Sequence, residues 1–279
     1  MEELNIKSFA KINIGLNIIS RREDGFHNLQ TIFFPLSLHD TISIKKSDEF
    51  HFDSSDKNLL QDKNNLIIRA HRLIENLFGE KINCHIQLQK NIPIGAGLGG
   101  GSSNAAAVIK GLNELFSLNI SKSDMLKLAL ELGSDVPVFL EKLPAYAESR
   151  GEKLFPINFN VNGFLLIVNP GIHISTKWAF ARITPSFPKV SLKEIIRDSS
   201  IDFNELVKVA SNDFEAVVFP IYPEIKEIKK QMINFDSKLA LMTGTGSTVF
   251  GFFDDEEAAY QAEQFFKCKN YFTYLQRVS

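Results

Sequence analysis

The 279-residue chain has little of several features that would define a class of protein. It has two cysteines, Cys84 and Cys268, which lie far apart and outside any C-x-x-C motif, so a disulfide framework or a zinc site is not expected. No apolar run approaches the roughly 20 residues of a membrane helix, and the opening Met-Glu-Glu does not resemble a secretory signal. The net charge of -2 provides no basic field for a nucleic-acid backbone. We therefore expect a cytoplasmic protein without nucleic-acid or membrane partners. The expected assembly is a monomer or weak homodimer.

Apolar residues make up 44% of the chain, and their spacing predicts regular structure. Alternation predicts strands at Phe9–Ile18, Asn28–Leu38 and Asp40–Lys45, because successive strand side chains point to opposite faces. Helical spacing predicts a helix over Leu66–Phe78 that ends at Gly79. Strands and helices are segregated within each half, which favours an α+β fold over a doubly wound sheet.

The segment near residues 150–162 contains Gly151, Pro156 and several asparagines. Such a composition is typical of a connection between domains. We therefore predict two domains, 1–150 and 151–279.

A glycine-rich loop at residues 95–101 is the clearest functional signal, with five glycines in seven positions. It lies between a predicted strand and an amphipathic helix, so its backbone N–H groups and the positive end of the helix can converge on a di- or triphosphate. Ser102 and Ser103 add hydroxyl groups near the phosphates or a magnesium ion. A flexible linker is the alternative, but a linker would not be bounded so closely by a strand and a helix.

Two better-known glycine motifs fit this loop poorly. A P-loop requires lysine after the last glycine, where this chain has serine. The pattern G-x-G-x-x-G fits Gly95, Gly97 and Gly100, but a dinucleotide fold also requires an acidic residue after a strand about 20 residues later. Residues 115–123 lead into another helix instead, which disfavours a dehydrogenase.

Lys11 and Asp135 are candidates for phosphoryl-transfer chemistry, although each has an ordinary alternative. A mid-strand lysine usually faces water, yet Asn13, Gly15 and Asn17 share the face of Lys11 and would suit a polar cleft. An aspartate near a helix start is often a cap or a dipole partner, whereas beside a phosphate site it can act as a base. Together the two would form a suitable pair, the carboxylate orienting a hydroxyl group and the ammonium stabilising the transferred group.

Several other residues remain open to two interpretations. Gly244–Ser247 forms a second glycine turn, which is a plain hairpin turn or part of a site. Taken alone, His27 is a structural or surface histidine, and Phe26, Phe180 and Tyr222 are core residues.

Three ordered segments resemble the motifs of GHMP kinases. AKINIGLNI at Ala10–Ile18 resembles the first motif, PIGAGLGGGSSNAA at Pro93–Ala106 the second, and MTGTGSTVF at Met242–Phe250 the third. Within this superfamily, Arg22–Thr31 and Gly133–Phe139 are similar to signatures of the branch that phosphorylates 4-diphosphocytidyl-2-C-methyl-D-erythritol, as is the segment Asn65-Leu66-Ile67.

The resemblance implies two α+β domains, an N-terminal ribosomal-S5-like domain and a C-terminal ferredoxin-like domain, with the active site between them. It implies ATP as phosphoryl donor, with Mg²⁺ expected but its ligands unknown, and transfer to the 2-hydroxyl of the methylerythritol unit in the non-mevalonate isoprenoid pathway. The implied catalytic pair is Lys11 and Asp135. The implied ATP-binding residues are Pro93, Ile94, Gly95, Ala96, Gly97, Leu98, Gly99, Gly100, Gly101, Ser102, Ser103, Asn65, Leu66 and Lys90, and the implied acceptor-binding residues are Asn13, Phe26, His27, Thr176 and Phe180.

Three positions are worth comparing with the family pattern, and two of them, Phe26 and Ser134, depart from it. Phe26 stands where tyrosine is frequent, which keeps ring stacking but removes a phenol hydrogen bond. Ser134 replaces a common alanine, and Ser247 occupies a position where alanine or serine is usual. Two alternative functions remain open. The chain could be another GHMP kinase with a different acceptor, or a catalytically silent nucleotide-binding protein.

Overall fold

The computed structural model describes residues 2–62 and 64–279, which form two compact units built from interleaved segments. The first unit comprises the segment ending at Ala10, Leu36–Ile92 and Gly99–Lys142. The second comprises Lys11–Pro35, Pro93–Leu98 and Leu143–Ser279. The sequence-based division into 1–150 and 151–279 stays a prediction.

The first unit combines a sheet with a layer of helices. Strands β1 (Glu3–Arg21) and β2 (His27–Lys46) each contribute residues to both units. In the first unit, residues Thr41–Lys46 of β2 pair antiparallel with β4 (Cys84–Gln89), and β3 (His51–Ser54) pairs parallel with β4. The helices are α1 (Asn58–Gln61), α2 (Leu66–Phe78), α3 (Gly100–Leu115), α4 (Lys122–Leu132) and a 3₁₀ helix (Pro137–Leu140).

The ends of these helices follow from local side chains. Asn65 accepts a hydrogen bond from the backbone N–H of Ile67 at the start of α2, and Gly79 ends α2 in the left-handed conformation with φ 67°. Ser121 accepts from the N–H of Asp124 at the start of α4. Apolar faces of α2 and α3 pack into a buried core with the strands, including Ile42, Ile44, Ile67, Ile74, Ile86, Val108 and Leu112.

The second unit is centred on a four-stranded antiparallel sheet. Its elements are β5 (Ala145–Glu148), β6 (Lys153–Pro156), β7 (Asn158–Phe159), β8 (Gly163–Asn169), α5 (Thr176–Phe180), a 3₁₀ helix (Leu192–Ile195), β9 (Ile196–Arg197), β10 (Ser200–Ile201), α6 (Phe203–Val209), α7 (Glu215–Val218), α8 (Pro223–Asn234), β11 (Leu239–Met242), β12 (Val249–Phe253), α9 (Glu256–Lys267) and β13 (Phe272–Val278). The strand order β11-β12-β8-β13, with α8 and α9 packed on the sheet, is the ferredoxin-like arrangement that the resemblance predicts. Residues Thr31–Phe33 of β2 pair with β5, which pairs with β6.

Two sequence-based expectations are corrected. The strands predicted at Asn28–Leu38 and Asp40–Lys45 are one strand, His27–Lys46. Burial alternates without interruption through Leu36, Leu38 and Asp40, so the carboxylate occupies a buried position where the pattern had indicated a break. Strands β5 and β6 were not predicted, and β6 lies in the segment interpreted as a domain connection.

Among the described residues, none of the helices has both the length and the apolar composition required to cross a membrane.

Candidate active site

The glycine loop has a backbone that glycine permits. Gly95, Gly97 and Gly99 have φ values of 65°, 78° and 72°, in the left-handed region that other residues rarely adopt. The loop leads directly into α3, whose first residue is Gly100. A long helix that begins at such a loop presents unpaired N–H groups and the positive end of its dipole to an anion.

Lys11 lies against the part of this loop that belongs to the second unit. Its side chain is buried, with an exposed fraction of 4%, so the water-facing alternative is wrong. Its backbone N–H donates to the carbonyl of Leu98 at 3.1 Å. Its Nζ donates to Asn13 Oδ1 at 2.6 Å and to the carbonyl of Gly97 at 3.2 Å. The structure therefore brings the first and second sequence motifs together.

The third motif joins the same group of residues. Residues 243–248 form the turn of the β11–β12 hairpin, so the hairpin interpretation is confirmed. The turn also has a further contact, because the backbone N–H of Asn13 donates to Thr243 Oγ1 at 2.8 Å. Asn13 Nδ2 in turn donates to Thr31 Oγ1 at 3.0 Å. A β-carbon on Gly97 would lie 2.4 Å from the carbonyl oxygen of Thr243. The two glycine segments can pack this closely because Gly97 has no β-carbon.

Asn212 is a residue of this region that sequence reasoning missed. Its buried side chain donates from Nδ2 to the carbonyl of Met242 at 2.6 Å and to the carbonyl of Gly244 at 2.8 Å. The adjacent Ser211 accepts a backbone hydrogen bond from Leu16 at 2.7 Å. The segment thereby ties β1 to the second glycine turn. Buried asparagine in an irregular segment is a weak sequence signal, since its partners are backbone groups about 30 residues away.

Within the first unit, two of the residues predicted to bind ATP, Lys90 and Ser103, are part of a buried polar network. Lys90 Nζ donates to Asp40 Oδ2 at 2.7 Å and to the carbonyl of Ile92 at 2.6 Å. Burial lowers the pKa of Lys90, and the charge of Asp40 opposes this shift. Ser103 Oγ accepts a hydrogen bond from Ser8 Oγ at 2.8 Å.

Other members of the predicted ATP set differ in their exposure. Asn65 is buried and caps α2, with Leu66 half-buried beside it. Ile94, Gly95 and Gly101 are exposed; Pro93, Gly97, Gly99 and Ser102 are half-buried; and Ala96, Leu98 and Gly100 are buried.

Asp135 lies in the turn between α4 and the 3₁₀ helix of the first unit and is half-buried. The capping position of that helix is occupied by Val136, so Asp135 is not its N-cap. Lys11 belongs to the second unit. The joint catalytic role of Lys11 and Asp135 stays a prediction.

The residues predicted to bind the acceptor all belong to the second unit. Phe26 has an exposed fraction of 47%, so its interpretation as a core residue is wrong, and the guanidinium of Arg150 lies 4.0 Å from its ring centre. The rings of His27 and Phe180 have centres 5.1 Å apart. Burial lowers the pKa of His27, and the charge of Arg21 lowers it further. Thr176 Oγ1 is 3.5 Å from Thr245 Oγ1 of the second glycine turn.

Within the described part of the chain, no group of three or more His, Cys, Asp or Glu side chains is arranged to hold a metal ion. The ligands of the expected Mg²⁺ therefore stay unassigned among these side chains.

Comparisons with known proteins agree with the motifs. The family models GHMP kinases N terminal domain and GHMP kinases C terminal match residues 65–142 and 191–272. A protein named 4-diphosphocytidyl-2-C-methyl-D-erythritol kinase from Chlorobium phaeobacteroides is 41% identical over 93% of this chain and 90% of its own length. A protein of the same name from Bacteroides fragilis is 40% identical over 89% of this chain and 91% of its own length.

Solved structures give the same result. The crystal structure of a 4-(cytidine 5'-diphospho)-2C-methyl-D-erythritol kinase superposes with a TM-score of 0.83 at 30% identity and covers 99% of both chains. The mevalonate kinase of Methanococcus jannaschii, at 15% identity and a TM-score of 0.74, shares the fold. The similarity of sequence over nearly the full length of both proteins places this chain in the 4-diphosphocytidyl-2-C-methyl-D-erythritol kinase family of the GHMP kinases.

Proposed function

We propose that this protein transfers the γ-phosphoryl group of ATP to the 2-hydroxyl of 4-diphosphocytidyl-2-C-methyl-D-erythritol in the non-mevalonate isoprenoid pathway. The observation that carries the proposal is identity of about 40% to kinases of that name over about nine tenths of the chain. The packing of Lys11 and Asn13 against both glycine segments supports it. We assign ATP binding to the predicted N-terminal domain, 1–150, with 151–279 as the C-terminal GHMP kinase domain.

In the proposed mechanism, the glycine loop and the start of α3 hold the ATP phosphates. The ammonium of Lys11 stabilises negative charge on the transferred group, and Asp135 accepts or orients the proton of the attacking hydroxyl. Mg²⁺ would be held mainly through the ATP phosphates, as is usual for this ion, and the half-buried Ser102 hydroxyl at the start of α3 is a candidate protein ligand. When bound, it would supply positive charge to the phosphate oxygens.

The acceptor would be recognised through its cytosine ring. The exposed ring of Phe26 and the neighbouring rings of His27 and Phe180 offer aromatic faces for stacking. The lowering of its pKa by burial favours the neutral ring of His27, which can donate from one ring nitrogen and accept at the other. This combination suits the edge of a cytosine, which has both donors and acceptors.

The decisive experiment is a coupled assay of ADP release with the cytidyl acceptor, with mevalonate and homoserine as matched alternatives. We expect turnover with the cytidyl compound alone. The variant Asp135→Ala should still bind ATP and lose at least about 100-fold in kcat, as expected for a positioned base. Turnover with mevalonate or homoserine would contradict the acceptor assignment, and an unchanged rate in Asp135→Ala would contradict its role.

A further inference from the structure

We propose that Asp40 is the positioning residue of the glycine loop at residues 95–101, holding in place the segments that precede and follow it; this inference rests on the proposed use of that loop for ATP. Asp40 has an exposed fraction of 0% in the middle of β2. A buried carboxylate is strongly unfavourable unless donors surround it. The donors that surround Asp40 come from the two flanks of the loop.

The segment immediately before the loop is bound to Asp40 through three donors. The backbone N–H groups of Asn91 and Ile92 donate to Oδ1 at 2.7 and 2.8 Å. Lys90 Nζ donates to Oδ2 at 2.7 Å and also to the carbonyl of Ile92 at 2.6 Å. Pro93 and Ile94 follow directly and lead to Gly95, the first residue of the loop, so Asp40 fixes the segment from which the chain enters it.

The segment immediately after the loop is bound to the same carboxylate. Asn104, in the first turns of α3, donates from Nδ2 to Asp40 Oδ2 and to Ser8 Oγ, both at 2.9 Å. Ser8 Oγ donates to Ser103 Oγ at 2.8 Å. Ser8, Ser103 and Asn104 are all buried. The start of α3 is therefore connected to Asp40 by a continuous chain of hydrogen bonds.

This arrangement gives Lys90 a different role from direct contact with ATP through its ammonium group. In this structure the ammonium is hydrogen-bonded to Asp40 and Ile92. We therefore assign the Lys90 side chain to the support of the loop. Because both flanks of the loop are already held in place, less conformational entropy is lost when the loop binds ATP.

The variant Asp40→Asn tests the proposal, because it keeps the size of the side chain and removes the negative charge that binds the N–H donors on both sides of the loop. Nucleotide binding is measured by calorimetry with ADP, and KM is measured separately for ATP and for the cytidyl acceptor. We expect the Kd for ADP and the KM for ATP to rise about 10- to 100-fold, in line with the effect of misplaced binding groups, while the KM for the acceptor stays within about twofold.

A matched control separates positioning from general destabilisation. Glu75 is a largely buried carboxylate of the same unit that accepts from the backbone N–H of Ile82 at 3.1 Å, away from the loop. Glu75→Gln should lower the midpoint of unfolding without changing the Kd for ADP. If Asp40→Asn does not fold, Asn104→Leu removes the contact after the loop and keeps the Asp40–Lys90 pair, and should weaken ADP binding about 10-fold.

The proposal is overturned if folded Asp40→Asn binds ADP as the unaltered protein does, or if the KM values for both substrates rise equally. With Asn104→Leu as the folded variant, unchanged ADP binding overturns it. The outcomes for ADP binding do not depend on the acceptor. If the unaltered protein binds ADP but does not phosphorylate the cytidyl compound, the proposed function fails and the role of Asp40 is still measured.

Discussion

The buried polar groups beside the glycine segments differ between the two units. In the first unit, Ser8, Asp40, Lys90, Ser103 and Asn104 form what we call the Asp40 network, whose centre is a carboxylate. In the second, Lys11, Asn13, Thr31, Asn212 and Thr243 form what we call the Asn13 network, which combines the ammonium of Lys11 with amides, hydroxyls and backbone carbonyls and has no carboxylate at its centre.

The two networks use different chemical groups because a carboxylate and an amide form different sets of hydrogen bonds. An ionised carboxylate is an acceptor, so it collects N–H groups from several segments at one point. An amide both donates and accepts, so Asn212 can bind two carbonyls of a turn while its Oδ1 accepts from the backbone N–H of Phe214 at 3.0 Å. We therefore expect the loss of a charge to destabilise the Asp40 network, and a change in side-chain size or donor geometry to destabilise the Asn13 network.

The largest effect is expected for Lys90→Met, which should lower the free energy of unfolding. This change leaves Asp40 buried without its cationic partner, and breaking a buried pair in this way destabilises by about 3–5 kcal/mol. Urea unfolding measures the loss, and hydrogen exchange should locate it in β2 and β4 of the first unit. Lys127→Met, which removes an exposed pair with Asp124, is the control and should change stability by less than about 1 kcal/mol. An equally small effect for Lys90→Met would show that the carboxylate is not the centre of its network.

A change of shape in the Asn13 network is tested by Gly97→Ala. The left-handed φ of 78° costs a non-glycine residue about 1–2 kcal/mol, and the close approach of the new β-carbon to Thr243 adds a packing strain of about 1–3 kcal/mol. Gly171→Ala is a matched control in the same unit, because its φ is 79° and its β-carbon would have no neighbour within 4 Å. Urea unfolding measures the loss of stability in each variant. Equal losses would mean that the close approach to Thr243 adds nothing to the destabilisation of Gly97→Ala.

The sequence predicts these networks unequally. The helix Leu66–Phe78 was predicted with its observed bounds because both of its ends are determined locally, by Asn65 and Gly79. The glycine segments and Lys11 were identified from residue type and order. Asp40 was misread as the start of a new strand, and Asn212 was not singled out, because their partners come from distant segments. Spacing reports local structure, whereas the burial of a polar residue depends on which segments meet around it.

A third test puts a negative charge into the Asn13 network through Asn212→Asp. The carboxylate would face the carbonyls of Met242 and Gly244 in place of the amide donor, and loss of such buried hydrogen bonds costs about 1–3 kcal/mol at pH 7. Burial and two facing oxygens should raise the pKa of the new aspartate, so protonation restores a donor. Stability relative to the unaltered protein should therefore recover as the pH falls from 7 to 5 and be lost as it rises. Asn234→Asp, at an exposed position, should show no such recovery, and a deficit in Asn212→Asp that does not change with pH would contradict the donor role.

The smallest effect concerns His27, a titratable group in the unit that holds the Asn13 network. Its pKa is lowered by burial and then by Arg21, so the folded protein binds this proton less readily than the unfolded chain does. The stabilising contribution of the neutral ring is present above the ordinary histidine pKa of about 6.5 and is lost as the pH falls below it. An NMR titration between pH 5 and 8, assigned with His27→Gln, should give a pKa below 6.5, and His27→Gln should make stability less dependent on pH in that range. A pKa above 6.5 would mean that a nearby negative charge outweighs burial. A pKa above 7 would make the ring mainly a cation at neutral pH, which suits a phosphate better than a cytosine.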